Sequence, residues 1–126
     1  MTDVSSELRE FVASSFSSIE QVDVFVLLVG APEREWSPQD VAGALGVAPQ
    51  SAGMRLFLLS SAGLLATSGE RDVHYRYVPA PALDEIAAAI GEAHRANRPA
   101  LAAILENPQS PSAARVFAEA FRLRKP

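Results

Sequence analysis

The chain has 126 residues and a formal net charge of −4, with 48% hydrophobic and 21% charged residues. Those are the values of a globular chain, long enough for one domain whose modest core would gain from dimerisation. It has no cysteine, which excludes disulfides, thiolate metal sites and cysteine nucleophiles.

The opening MTDVSSELRE is acidic and polar, unlike a signal peptide. Within residues 5–17, Leu8, Phe11, Val12 and Phe16 lie at helical spacing, which predicts a first helix. Residues 18–29 are rich in valine and have strand propensity. Ile19, Val22, Phe25, Val26 and Val29 nevertheless fall on one stripe, so a helix is expected, ended by Gly30 and Pro32. The longest apolar run, residues 24–29, is far shorter than the ~20 residues that span a bilayer. A cytoplasmic protein with no membrane segment is the expectation.

Ser37 before Pro38 reads as an N-cap with proline at the first helical position, and Asp40 stands where a capping-box acid would. Trp36 reads as a hydrophobic staple onto that helix, with the lining of a ligand pocket as the other reading. The short helix PQDVAGAL stops at Gly46, and Pro49 opens another that runs to residue 62 and closes at Gly63. Residues 64–67 predict a strand, SGERD a turn, and VHYRYV a second strand. One face of that second strand carries Val73, Tyr75 and Tyr77, the other His74, Arg76 and Val78. Beyond Pro81 the chain reads as helix, with Leu83, Ile86, Ala87 and Ile90 on one stripe and Asp84 and Glu85 complementing the dipole of its first turn. Pro99 either kinks this helix or starts a new one after Asn97. Asn107 and Pro108 break it, and Ser110 and Pro111 open a last helix bearing Phe117 and Phe121 and ending in the basic FRLRKP. The fold class is therefore mainly α with a small β-hairpin (α+β).

Charge is spread unevenly. Residues 1–36 hold two basic and seven acidic side chains, residues 37–80 three of each, and residues 81–126 six and five. The three central cations are Arg55, Arg71 and Arg76. Arginine outnumbers lysine ten to one, which with abundant alanine fits a GC-rich bacterial genome.

The segments SPQDVAGALGVAPQSAGMRLFLLSSAGLL and LLATSGERDVHYRYV carry a resemblance over roughly residues 19–78, about half the chain. They resemble the winged helix-turn-helix of bacterial MarR/ArsR-like transcriptional regulators. Ala42, Leu45, Val47, Ala52, Leu56, Leu59 and Leu64 fit the pattern that packs its two helices at a steep angle. The resemblance implies a winged core over residues 18–80 within a single domain. Helices at 1–17 and 81–126 would flank that core and interlock in a homodimer. It also implies a regulator that places residues 49–62 in the major groove of duplex DNA and the wing, 66–78, on phosphates or the minor groove. Carried over by position, Gln50, Ser51, Met54, Arg55 and Leu58 would face outward. Arg55 would pair with guanine, Gln50 with adenine, and Ser51 would hold a phosphate. On the wing, Arg71, His74 and Arg76 would contact the DNA backbone.

One stretch departs from that family. Its members usually carry several polar or basic residues where this chain has MRLFLLSS. With Leu56 and Leu59 in the core, Phe57 and Leu58 cannot both point inward on a helix, so one lies outside or at an interface. The other reading packs Phe57 against the N- or C-terminal helices and leaves Leu58 a single surface leucine. Exposed apolar side chains mark protein contacts more often than phosphate contacts. The alternative function is thus a winged-helix protein–protein interaction module that has lost DNA binding, using Met54, Phe57 and Leu58. A DNA-binding regulator with a small-molecule effector is a third expectation.

No cofactor is expected. His74 and His94 lie in separate elements without a ligand partner one helical turn away, so no metal site is expected. There is neither a G-x-S-x-G elbow nor a glycine-rich phosphate loop, and enzyme activity is not expected.

Overall fold

The computed structural model describes residues 10–12 and 14–106. The expectations for Leu8, for the break at Asn107 and Pro108, and for the last helix with Phe117, Phe121 and FRLRKP lie outside the described residues. In chain order the elements are α1 (Ile19–Val29), α2 (Pro38–Leu45), α3 (Pro49–Ser61), β1 (Leu65–Ser68), β2 (His74–Tyr77) and α4 (Pro81–Glu106). Residues 10–12 and 14–15 are helical as well. The fold is mainly α with one small antiparallel hairpin, the class the sequence predicts. Two compact units form: one is Glu20–Pro79, the other takes the described residues before 20 and after 79.

In the first unit, local chemistry sets the start and stop of α2. The Ser37 hydroxyl accepts from the Asp40 backbone N–H at 3.1 Å, and the Asp40 carboxylate accepts from the Ser37 N–H at 3.0 Å. This is the expected capping box, with Pro38 in the first turn. Gly46 ends the helix in the left-handed region, at φ 70° and ψ 35°, where a glycine has no Cβ to clash. The backbone N–H of Ser37 and its hydroxyl favour the ionised carboxylate, so Asp40 titrates below the usual range; Arg34 and His74 add smaller pulls in the same direction. Ser37→Ala is expected to cost about 1 kcal/mol of stability at neutral pH. A lowered carboxylate pKa stabilises above the unfolded-state value and loses that contribution as pH falls through the folded one. The melting-temperature gap between wild type and Ser37→Ala should therefore narrow in acid, which thermal melts at pH 7 and pH 3 will read.

The core of this unit forms where α1, α2, α3 and the hairpin bury apolar side chains. Buried are Val22, Val24, Phe25 and Leu28 of α1, Val41 and Ala42 of α2, Ala52, Leu56 and Leu59 of α3, and Leu64, Leu65, Tyr75 and Tyr77. The rings of Phe25 and Tyr77 meet edge to face at 5.8 Å. Two expectations need correction. The buried stripe of α1 is Gln21, Val22, Val24, Phe25 and Leu28, while Ile19, Val26 and Val29 are only half-buried. Val47, expected in the helix-pair packing, is exposed just past the Gly46 turn, and Leu45 is half-buried.

β1 and β2 pair in register Leu65↔Tyr77, Ala66↔Arg76, Thr67↔Tyr75 and Ser68↔His74. Tyr75 and Tyr77 face the core and Arg76 faces away, as the alternation predicts. A third segment joins the sheet. Trp36 donates its N–H to the Tyr75 carbonyl at 2.7 Å and accepts from the Tyr75 N–H at 2.8 Å. Trp36 is buried, so it belongs to the hairpin's edge as much as to the start of α2.

In the second unit, Val12, Phe16, Ala87, Ala89, Ile90, Ala93 and Leu101 are buried, and the rings of Phe11 and Phe16 meet edge-on at 6.4 Å. On the expected stripe, Ala87 and Ile90 are buried and Leu83 and Ile86 half-buried. α4 breaks at Asn97 (φ −162°, ψ 78°). Pro99 then stands in the first turn of the segment that follows, where its missing N–H removes no helical bond. No helix among the described residues is long and apolar enough to cross a membrane.

Candidate nucleic-acid interface

α3 opens at Pro49 after Ala48, which offers no side-chain cap. The outward row of this helix follows from its pitch. Ala52, Leu56 and Leu59 are its buried residues, and at 100° per residue positions 50, 54, 57, 58 and 61 gather within about 100° on the opposite side. All five are exposed. Met54 is 57% exposed, Phe57 61% and Leu58 40%. Phe57 and Leu58 thus both lie outside, and the row Gln50, Met54, Phe57, Leu58, Ser61 carries no charge.

Arg55 is not on that row, contrary to the expectation that it faces outward. It is half-buried, and its guanidinium donates to the Ser51 hydroxyl at 3.0 Å. Its Nε is buried with no hydrogen-bond partner among the described residues. The cleft lined by Ser51 and Arg55 is also lined by Glu20 and Asp23 of α1. Ser51 is half-buried and occupied by the same bond. The angular position accounts for this: residue 55 lies about 40° around the helix from core residue Leu59, nearer the buried side than Met54 does. Family resemblance puts Arg55 outside, whereas its angle on the helix does not.

The hairpin carries the other candidates. Arg71 and Arg76 are exposed, Arg71 in the loop between the strands and Arg76 on the outward face of β2. His74 is half-buried, with Nδ1 2.9 Å from the Asp72 carbonyl. That contact makes Nδ1 the protonated nitrogen, because a carbonyl can only accept. An open groove runs between the start of α2 and the hairpin, lined by Ser37, Gln39, Arg71, Asp72, His74 and Tyr75. Acids accompany both arginines. Glu70 and Asp72 flank Arg71, and Glu35, which accepts from the Ser68 hydroxyl at 2.9 Å, lines a cleft with Arg76.

Arg34 is a cation to which sequence reasoning assigns no role. Its guanidinium lies 3.7 Å from the centre of the Trp36 ring and 3.8 Å from the Asp40 carboxylate. It covers the indole and does not project as a phosphate contact. Among the described residues no group of three or more His, Asp or Glu side chains could hold a metal ion. The arrangement offers an uncharged helix face and two exposed arginines on a hairpin. No family model, no curated protein and no solved structure matches this chain.

Proposed function

We propose that the chain is a winged-helix transcriptional regulator that binds duplex DNA in the cytoplasm as a homodimer. In this reading α3 enters the major groove and the hairpin lies on the phosphates. The observation that carries it is the pairing, within one compact unit, of an α3 whose outer row is uncovered with a hairpin whose Arg71 and Arg76 are exposed. A helix free on one face beside a hairpin with exposed cations is the docking geometry of winged-helix DNA readers. Arg55, held by Ser51, drops out of the base contacts, and phosphate neutralisation falls to the hairpin.

The test is binding to a labelled random duplex between 50 and 200 mM salt. Affinity should fall as salt rises. Arg71→Ala with Arg76→Ala should flatten the log–log slope by about 0.9 for each phosphate that is no longer neutralised. Absence of retention at 50 mM salt overturns the proposal.

A second reading is a protein-docking module, favoured by the exposure of Met54, Phe57 and Leu58. Residues 20–79 add weight to it, with four arginines and no lysine against seven acids. Burying one such apolar side chain is worth roughly 1.5–3 kcal/mol, without help from phosphates. This reading predicts no salt-sensitive DNA binding, and a co-purifying protein that is lost on Phe57→Asp while circular dichroism stays unchanged.

A further inference from the structure

We infer that α3 reads the C5-methyl groups of pyrimidines, chiefly thymine, through Met54, Phe57 and Leu58, with Gln50 taking the neighbouring adenine. This rests on the DNA reading above. The outward row has only a few kinds of group to offer base edges. Guanine is recognised in the major groove by a cation on O6 and N7. The row has none, because the Arg55 guanidinium is bound to Ser51 in a cleft shared with Glu20 and Asp23. Cytosine is recognised through its amino group by an acid, and the row has none of those either.

What remains matches an A·T pair. A glutamine amide can donate to adenine N7 and accept from its N6 amino group, and the thymine methyl is the one apolar group on the major-groove edge of a base pair. Gln50 and Met54 lie one turn apart on the same row, with Phe57 and Leu58 a further turn along. Three large apolar side chains facing water are costly to leave uncovered and costly to press onto bare polar edges. A run of methyl groups is the part of the groove that accommodates them. Arg71 and Arg76, exposed on the hairpin although Glu70, Asp72 and Glu35 lie near them, are the cations that would meet the phosphates beside an uncharged helix face.

The experiment begins by enriching a random 20-base-pair library on the full-length protein, then replaces thymidine by deoxyuridine at single positions of the enriched duplex. Thymine-rich steps should be enriched. Each contacted methyl removed should weaken binding about fourfold, the worth of one buried methyl. Met54→Ala and Phe57→Ala change exposed side chains, so the fold should persist, and each should erase the uracil penalty at its own position. Placing 5-methylcytosine in cytosine-for-thymine variants distinguishes the two methyl sources. Recovery of affinity there means that the methyl alone is read, and no recovery means that the adenine contact of Gln50 is needed as well. Equal affinity for thymidine and deoxyuridine duplexes, with salt-sensitive binding intact, overturns this inference and leaves the DNA reading standing. Failure to retain any duplex at 50 mM salt overturns both.

Discussion

Replacing Phe25 by alanine is expected to remove about 3–5 kcal/mol of stability from the Glu20–Pro79 unit. Phe25 is fully buried, and its ring meets Tyr77 edge to face at 5.8 Å. Truncation would leave a cavity between α1 and β2 in addition to the forfeited transfer energy, and the aromatic pair adds about 0.5–1.5 kcal/mol beyond area burial. Against a typical total of about 5–15 kcal/mol, such a loss puts the unit at the margin of folding at 37 °C. Urea unfolding followed by the fluorescence of Trp36, the sole tryptophan, will measure it. A loss under 1 kcal/mol would mean that α1 does not seal the hairpin as described.

The second large effect is expected at the hairpin loop. Gly69 has φ 89°, and a Cβ added there would lie 2.5 Å from the Asp72 carbonyl oxygen and 3.3 Å from its carbon. Both obstacles are backbone atoms, so no side chain can swing aside to make room. Strain of this kind costs about 1–3 kcal/mol. Relieving it moves the carbonyl that His74 Nδ1 contacts, and with it the loop that presents Arg71. Gly69→Ala should therefore lower the melting temperature and, on the proposed DNA reading, weaken duplex retention as well, although no proposed contact is removed. Amide chemical shifts should change most between residues 68 and 74. Stability and DNA retention both equal to wild type would show that the loop tolerates the shift.

The legible parts of this fold are those written in short-range chemistry. Ser37, Pro38, Asp40 and Gly46 fix the two ends of α2 through bonds spanning three or four residues, and such bonds leave a signature in order and spacing. The alternation of residues 73–78 sets the faces of β2 in the same way. The phase of α1 is not legible. That helix is apolar on most sides, so its periodicity carries little information about which side is inward, and the buried stripe includes Gln21, a polar residue. At the candidate interface, the constraint imposed by Leu56 and Leu59 announces that an apolar side chain must face out. The inward turn of Arg55 follows from its angle relative to Leu56 and Leu59 and from its bond to Ser51, one turn earlier. The cleft it shares with Glu20 and Asp23, more than thirty residues earlier in the chain, has no local signature. The same distance hides the pairing of Trp36 with Tyr75.

That pairing has a mechanical outcome. Two backbone bonds tie residue 36 to the middle of β2, and the very next residue caps α2. Hairpin and helix are thus riveted across a single peptide link, leaving no slack to absorb a displacement. A displacement of the hairpin is therefore passed directly to the base of α2.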